Sequence, residues 1–390
     1  MTMTAMTSDI DKALSIVTRC LKREGYGRIQ YFPKGRGGYL AHEFLVLRSF
    51  LLKDNVTLLR TSGLHAVYES LMRRFYPRLH DLYRLFFRCE ESPLPAFREF
   101  FDQDEIDVLG RNGILTCAGE RCRCRYRFVP VADLMMISSP DHEAADPDYI
   151  PIEGDAVILW HRLKGSLDKP LKDALEIGCG TGFLSIWMAR FAQTVTATDI
   201  NERALELTRR NAGINGIENV LTLKSDVYSD VRGKFDLILA NPPFIFLPNE
   251  CSGRKFIYGG HLGLEIVEKI FLGLDRHLND KGISDVLAMS YISDNGIDAL
   301  SELVKSMFCG RPFSITLQQL DYLPPPIKYS SFYRKNRISY SILCLITIQR
   351  GDSYEFTHIP IRGLSRAIGH LKIRRLKSRS AAPRRNLPER

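Results

Sequence analysis

The feature that most constrains the fold of this chain is a strand that runs directly into a glycine-rich turn. Residues 174–182 read Ala-Leu-Glu-Ile-Gly-Cys-Gly-Thr-Gly, and an apolar helical pattern follows them. Strand, glycine turn and helix in this order begin a parallel βαβ unit. Because glycine has no side chain, a ligand can approach the backbone of such a turn closely. The segment therefore predicts a binding turn at the carboxyl end of a buried parallel strand.

Acidic residues stand at the ends of the next two predicted strands. Asp199 closes a strand over residues 194–200, and Asp226 follows the strand that begins near Leu221. An acid at the end of the second strand is placed to bind the ribose hydroxyls of an adenosine. Asp226, at the end of the following strand, would accept a hydrogen bond from the adenine amino group. The structural alternatives are a helix N-cap for Asp199 and a surface turn for Asp226.

A fourth predicted strand ends in Asn241-Pro242-Pro243-Phe244. Two consecutive prolines fix the backbone that follows the strand. The side-chain oxygen of Asn241 and the carbonyl of Pro242 can then accept hydrogen bonds from one NH₂ group and direct its lone pair toward an electrophile. Phe244 can stack on the plane of that group. A plain structural turn is the alternative, which the preceding glycine turn and acids disfavour.

These motifs, in this order at strand ends, resemble the class I S-adenosylmethionine-dependent methyltransferases. The Asn-Pro-Pro-Phe form is similar to the small-domain methyltransferases and the HemK-like glutamine-amide methyltransferases, and the resemblance covers about residues 155–350. It implies an α/β fold with a Rossmann-like, seven-stranded sheet, and S-adenosylmethionine as the cofactor.

The resemblance also implies a role for each motif. The cofactor-binding residues would be Glu176, Gly178, Cys179, Gly180, Thr181, Gly182, Asp199, Ile200, Asp226, Val227 and Asn241. The catalytic residues would be Asn241, Pro242, Pro243, Phe244, Tyr258 and His261. Tyr258 and His261 could contact the acceptor or take its proton, with a structural turn as the alternative.

Three functions use such a site. The first is methyl transfer by direct displacement to a planar amide or amino nitrogen of a protein or small metabolite. The second is N-methylation of a base in ribosomal RNA or DNA. The third transfers the aminocarboxypropyl arm of the cofactor, or cyclises the cofactor with release of methylthioadenosine, as in natural-product biosynthesis. Displacement at a sulfonium methyl group depends on alignment of the reacting atoms, so we expect no metal site.

The residues before the glycine turn have a different pattern. Apolar residues at steps of three and four predict helices over 66–89, broken by Pro77, and shorter helices over 95–101 and 105–109. A hairpin of strands 113–117 and 121–131 follows. Helix, helix and hairpin are the order of a winged helix.

The second strand of this hairpin carries arginines at every second position from Arg121 to Arg127. A period of two places the four arginines on one face and the apolar residues on the other. Such a face could bind the phosphates of a nucleic acid. A solvated face, or one that docks on the neighbouring domain, is the alternative.

We therefore expect four segments. These are a winged-helix-like substrate domain (1–137), a linker (138–150), a cofactor-binding methyltransferase domain (151–352) and a basic C-terminal tail (353–390). The formal net charge of +9 belongs to the tail, because residues 361–390 hold ten lysines and arginines and a single acid. The tail could contact nucleic acid or be a solvated extension.

The cysteines and the apolar runs indicate a compartment. Nine cysteines at scattered spacing are typical of reduced thiols in a cytosolic protein. Cys117, Cys122 and Cys124 lack the fourth ligand that a zinc site needs. No apolar run approaches the roughly 20 residues that cross a bilayer, and the N-terminus has no secretion signal. We expect a cytoplasmic protein without a membrane partner.

Overall fold

The computed structural model describes residues 8–31, 56–58, 65–140, 146–152, 154–163, 170–251, 256–323 and 329–361. The chain divides into two compact units, and the division falls between Asn241 and Pro242. The domain limits expected from the sequence, near 137 and 151, lie inside the first unit and stay a prediction. The basic residues from 362 onward lie outside the described part of the chain.

The first unit contains most of the described helices. They are α1 (Asp9–Arg23), α2 (His65–Phe75), α3 (Pro77–Leu82), α4 (Leu94–Arg98), α5 (Gln103–Arg111), α6 (Gly154–Leu163), α7 (Phe183–Met188) and α8 (Glu202–Ile214), with a 3₁₀ turn at Tyr26–Arg28 and a π-helical turn at Tyr83–Phe87. The predicted break at Pro77 is confirmed, because Pro77 is the first residue of α3, where a missing N–H costs nothing. Capping boxes begin α1 at Ser8 and α5 at Asp102.

The strands of the first unit are β1 (Ile29–Tyr31), β2 (Val56–Leu58), β3 (Ser92–Pro93), β4 (Leu115–Ala118), β5 (Arg121–Cys124), β6 (Arg127–Val131), β7 (Leu134–Ser138), β8 (Leu171–Ile177), β9 (Ala192–Asp199), β10 (Val220–Lys224) and β11 (Phe235–Ala240). Strands β3, β5 and β4 form an antiparallel sheet in that order, and β6 pairs with β7. The helices α4 and α5 lie between β3 and β4 in the chain, so the expected order of helix, helix and hairpin is present.

The prediction of one continuous strand over 121–131 is wrong. The chain bends at Arg125 and Tyr126, where the Arg125 amide donates to the carbonyl of Ile114 over 2.8 Å. The second half of the segment then pairs with β7 instead of β4. The alternation of exposed and buried residues ends at the bend, because every residue of β6 is buried.

The arginine face is correspondingly smaller than predicted. Arg127 is only 2% exposed, and its guanidinium lies 3.9 Å from the centroid of the Phe87 ring. Arg121 and Arg123 both bind the carboxylate of Glu91, at 2.9 and 3.4 Å. Arg125 is exposed and lies over the ring of Tyr126. The four arginines therefore do not form one phosphate-binding stripe.

Two of the nine cysteines are not reduced thiols. Cys117 and Cys122 lie opposite each other in the β4–β5 hairpin, with 4.0 Å between their Cα atoms, and form a disulfide. The expectation of reduced cysteines throughout is wrong for this pair, because the hairpin register brings the two side chains together. The disulfide also excludes these two sulfurs as thiolate ligands of zinc.

Four parallel strands form the sheet of the first unit in the order β10, β9, β8, β11. The apolar side chains of β8 and β11, including Leu175, Ile177, Ile238 and Leu239, are buried. Near-continuous apolar strands are typical of parallel sheets that helices cover on both faces. The expected Rossmann-like, mixed α/β fold is confirmed.

The second unit has its own helices and strands. They are α9 (Glu265–His277), α10 (Ala299–Phe308), α11 (Ser330–Lys335), β12 (Leu278–Ser293), β13 (Phe313–Leu323), β14 (Ile338–Arg350) and β15 (Glu355–Ile359), with 3₁₀ turns at Asn249–Cys251 and His261–Gly263. The strands pair in the order β12, β14, β13, β15. Strand β14 is antiparallel to both neighbours, whereas β15 runs parallel to β13.

The two sets of four strands together contain one strand more than the seven that we expected. The additional strand is β15, which lies in the segment that we expected to be the C-terminal tail. The core of this unit includes Phe271, Phe308 and Phe313, whose rings pack edge to face at 5.4 Å. In the described part of the chain, no helix is both long and apolar enough to span a membrane.

Candidate active site

The carboxyl ends of the four parallel strands of the first unit lie level with one another. Ile177 of β8 pairs with Thr198 of β9 on one side and with Ala240 of β11 on the other, and Asp199 pairs with Lys224 of β10. The chain leaves β8 toward β9 and later returns to the opposite side of β8 as β11. Sheets of this kind bind ligands beside the strand ends at such a reversal of strand order.

The glycine-rich turn follows β8 at this edge, as predicted. Gly182 has a φ of 78°, and a Cβ atom built there would lie 2.6 Å from Cγ2 of Thr208. Gly182 is therefore required for the turn to pack on α8. At Gly178 a Cβ atom would meet no described atom within 4 Å, and at Gly180 it would meet only Ile150, at 3.9 Å. The turn thus presents open backbone on another side, as a bound cofactor requires.

Asp199 holds the glycine-rich turn against the end of β9. Its Oδ2 accepts a hydrogen bond from the Gly180 amide over 3.0 Å, and its Oδ1 accepts one from the Asn201 amide over 2.9 Å. The N-cap of α8 is Asn201, whose side chain accepts from Arg203. The N-cap alternative for Asp199 is therefore wrong. Each carboxylate oxygen retains a lone pair that can accept from a ribose hydroxyl.

Ile200 follows Asp199 and is 50% exposed. An apolar side chain at this place is suited to packing against an adenine ring, and its expected role in cofactor binding stays a prediction. Burial raises the pKa of the Asp199 carboxyl above its usual range.

Glu176 lies beneath the turn, near the end of β8, and is buried. Its Oε2 accepts hydrogen bonds from both the amide of Ser185, over 2.7 Å, and the Ser185 hydroxyl. Burial raises the pKa of Glu176 from 4.5 to about 8, against the opposing effect of the Ser185 hydrogen bonds. Glu176 therefore ties the first turn of α7 to the strand end.

Asp226 and Val227 form a tight turn after β10. Asp226 is exposed, whereas Val227 is buried and has a positive φ of 53°. The Ser225 hydroxyl donates to the Val227 carbonyl and accepts from the Asp230 amide, both over 3.1 Å. These bonds fix the turn and leave the Asp226 side chain at the surface, where the predicted contact with an adenine edge would be made.

Asn241 is the last residue of the first unit and follows β11 directly. Its Oδ1 atom is buried and has no hydrogen-bond partner among the residues that the structure describes. A buried amide oxygen without a donor costs about 1–3 kcal/mol. A ligand that donates an N–H group to this oxygen would remove that cost, so this acceptor fits an amide or amino group.

The next residues of the motif are held by glycines in the second unit. The Gly259 amide donates to the Ile245 carbonyl over 3.0 Å. A Cβ atom at Gly259 would lie 2.7 Å from Cα of Phe244, and one at Gly263 would lie 2.1 Å from the Phe244 carbonyl oxygen. Glycine at both positions therefore allows the backbone at Pro243 and Phe244 to pack closely. The ring of Phe244 is buried at 5% exposure, and its stacking on an acceptor stays a prediction.

Tyr258 directly precedes Gly259, and His261 lies between Gly259 and Gly263. The Tyr258 hydroxyl donates to Oδ1 of Asn249 over 3.1 Å. The His261 amide donates to the Glu265 carboxylate over 2.8 Å, and its imidazole meets the ring of Phe246 edge to face at 5.6 Å. These contacts stabilise the turn, and a catalytic role for either residue stays a prediction.

Two residues of α8 at this site, Thr208 and Asn211, were not expected from the sequence. Both side chains bind carbonyls of the glycine-rich turn, and both residues are buried. One signal in the sequence could have identified them. Both polar residues lie on the face of α8 that also carries Leu205 and Ala212, and buried polar side chains usually have a specific partner.

Comparisons with known proteins identify the family of this chain. The family described as Methyltransferase small domain matches residues 157–288. A protein of Methanocaldococcus jannaschii named as a protein N5-glutamine methyltransferase is 37% identical over 147 residues, which cover 36% of this chain and 72% of that protein. Ribosomal RNA small subunit methyltransferase C of Escherichia coli (strain SMS-3-5 / SECEC) is 32% identical over 120 residues, which cover 30% of this chain but only 31% of that protein.

Among solved structures, M. jannaschii TYW2 in complex with AdoMet is 13% identical, with a TM-score of 0.38 over 58% of this chain and 87% of that chain. A match at this TM-score adds no information to what the relatives found by sequence show. The fold and the family match identify a class I methyltransferase. The chain belongs to the methyltransferase small-domain family, and the predicted enzyme class and its cofactor, S-adenosylmethionine, are confirmed.

Replacing Gly182 with Ala should destabilise the protein more than replacing Gly216. Both residues have a left-handed φ, 78° and 68°, which costs a non-glycine residue about 1–2 kcal/mol. Only at Gly182 would the new methyl group overlap Thr208, which adds about 1–3 kcal/mol. Urea unfolding of Gly182→Ala and Gly216→Ala measures the difference. Equal losses of stability would show that the turn does not pack on α8 as described.

The stability of the cofactor-free protein should fall as the pH rises from 4.5 to 8. In this interval the unfolded Glu176 carboxyl loses its proton, whereas the buried one keeps it until its pKa of about 8. The folded state then binds more protons, so this group destabilises it by at most about 1.4 kcal/mol per pH unit. The Glu176→Gln variant should show a smaller slope than the parent protein in urea unfolding curves at pH 5, 6, 7 and 8. An unchanged slope would contradict the assignment.

Proposed function

We propose that this methyltransferase acts on a primary amide of a protein side chain, the amide of a glutamine, held at Asn241–Phe244. The observation that carries the proposal is the buried, unpartnered Oδ1 atom of Asn241 at the end of β11. An amide NH₂ group has two hydrogens to donate, and one of them would satisfy this oxygen. The M. jannaschii relative named as a glutamine methyltransferase supports the same acceptor.

The chemistry requires that the acceptor nitrogen be aligned and its lone pair freed. Bound S-adenosylmethionine supplies a methyl group on a positively charged sulfur. In the transfer, a nitrogen–carbon bond forms, the carbon–sulfur bond breaks with its electron pair going to sulfur, and the nitrogen loses one proton to solvent or a nearby base. Hydrogen bonds to Asn241 and to the carbonyl of Pro242 would turn the nitrogen lone pair away from both acceptors. Such positioning is the main contribution that a protein makes to a displacement reaction.

The remaining residues of the first unit would hold the cofactor. Asp199 offers carboxylate oxygens for ribose hydroxyls, and Ile200 offers an exposed apolar surface for adenine. The backbone of the glycine-rich turn, open at Gly178 and Gly180, would lie against the methionine portion. Asp226 and Val227 would complete the adenine contact after β10.

The N-terminal residues favour a protein acceptor over a nucleic acid. Two arginines of the predicted stripe share the negative charge of Glu91, and Arg127 is buried. The first turn of α5, the helix before the hairpin, carries Asp104 and Glu105. Phosphate contacts supply most of the affinity for nucleic acid, and acidic residues in the helix that precedes the hairpin would oppose them.

Methylation of a ribosomal RNA base is the second candidate. It is favoured by the similarity to ribosomal RNA small subunit methyltransferase C over 120 residues and by the exposed Arg125. The exocyclic amino group of a base could donate to Asn241 as an amide does, so the acceptor must be identified by its product.

Replacing Asn241 with Ala should lower turnover by about 100-fold or more, which is the loss typical of a polar group that acts in the transition state. The affinity for S-adenosylmethionine should change by less than about threefold. Turnover is measured with methyl-labelled S-adenosylmethionine and a ribosome and translation-factor extract, and affinity by calorimetry. The Asn336→Ala variant, at the C-cap of α11, is the matched control and should keep its activity. Full turnover by Asn241→Ala would refute the assignment of this residue.

The class of acceptor should be shown by which molecule receives the labelled methyl group and by how the transfer depends on salt concentration. A methylated glutamine amide releases labelled methylamine on alkaline hydrolysis of the protein fraction, and the transfer rate should change less than about threefold between 50 and 200 mM salt. Label in nuclease-sensitive RNA, with a loss of affinity of about 10³ or more over this range, would support the second candidate instead. Methylthioadenosine formed from S-adenosylmethionine alone would contradict both.

A further inference from the structure

The buried face of α8 binds two consecutive carbonyls of the glycine-rich turn. The Thr208 hydroxyl donates to the Gly180 carbonyl over 3.3 Å, and Nδ2 of Asn211 donates to the Thr181 carbonyl over 2.8 Å. The Thr208 hydroxyl also lies 3.3 Å from the sulfur of Cys179. Both side chains are buried; the bond of Asn211 is buried entirely and that of Thr208 is partly buried.

These bonds fix which way the amide groups of the turn point. All described peptides are trans, so each N–H points opposite to the carbonyl of the same peptide. With the Gly180 carbonyl turned toward Thr208, the Thr181 N–H is directed away from α8. With the Thr181 carbonyl held by Asn211, the Gly182 N–H is free to donate to the Cys179 carbonyl, over 2.7 Å. The side chains of α8 thereby set the donors that the turn presents.

Asn211 also binds strand β7. Its Oδ1 accepts from the Ile137 amide over 2.6 Å, and its Nδ2 donates to the Ile137 carbonyl over 2.9 Å. One helical turn later, Asn215 binds Met135 in the same way, at 3.0 and 2.7 Å. The two asparagines thus make equivalent bonds to β7, but only Asn211 adds a bond to the glycine-rich turn.

We propose that Thr208 and Asn211 are positioning residues for cofactor binding, which act by holding the carbonyls of Gly180 and Thr181. Asn211 in addition ties the turn to the backbone of β7. The inference rests on the proposed cofactor site at the glycine-rich turn and Asp199. The loss of the Asn211 side chain would leave the buried Thr181 carbonyl without its donor and would let the turn change conformation.

The matched pair Asn211→Ala and Asn215→Ala tests the inference. Both variants lose two bonds to β7, so both should lower the melting temperature by a similar amount. Only Asn211→Ala should weaken S-adenosylmethionine binding, by about tenfold, the loss expected for one buried hydrogen bond, whereas Asn215→Ala should change it by less than about threefold. Affinity is measured by calorimetry at a temperature where circular dichroism shows both variants folded. Equal dissociation constants for the two variants would overturn the inference.

Thr208→Val and Asp199→Ala complete the experiment. Thr208→Val removes the hydroxyl at nearly constant volume, and it should also weaken S-adenosylmethionine binding, even if Asn211→Ala fails to fold. Unchanged binding by Thr208→Val would count against the inference. Asp199→Ala reports on the site itself. If Asp199→Ala binds weakly while the α8 variants bind normally, only the positioning role is wrong. If Asp199→Ala also binds normally, the proposed cofactor site is wrong.

Discussion

The register of the parallel strands is the constraint on which the candidate site depends. Ile177 has Thr198 on one side and Ala240 on the other, so the residues that follow these strands reach the same edge of the sheet. A shift of one residue in any strand would move its terminal side chain to the other face. The hydrogen bond from Gly180 to Asp199 connects two of these ends directly. The pairing of the backbone strands therefore determines which side chains come together at the site.

The strand-end residues could be predicted because their placement follows from chain order alone. Once the segments that end at Ile177, Asp199 and Ala240 are identified as parallel strands, their carboxyl ends must share an edge. The N-cap alternative for Asp199 was settled only by the structure, since Asn201 two residues later competes for the same role. Local sequence cannot decide which of two capping residues the helix uses.

Contacts between residues far apart in the chain could not be predicted. The alternation through Tyr126 predicted one long strand, but the burial of Arg127 depends on Phe87, forty residues earlier. The Cys117–Cys122 disulfide depends on the hairpin register, which cysteine spacing alone does not give. In the sequence alone, Asn211 has the pattern of an ordinary polar helix residue. Its proposed positioning role depends on its bonds to Ile137 and Thr181. In each case the deciding partner is brought in by the fold.

Asn211 of α8 and Asn215 at its C-cap have a further consequence for β7. Among the residues that the structure describes, this strand pairs with β6 along one side only. On its other side the amides and carbonyls of Met135 and Ile137 bind the side chains of Asn215 and Asn211. An open strand edge is a template for pairing with a second chain and so for aggregation. Here the edge is closed without a third strand, because two carboxamides one helical turn apart match the spacing of alternate strand residues. The side chain of Asn211, which also binds the glycine-rich turn, thus covers one part of this edge, and the side chain of Asn215 covers the other.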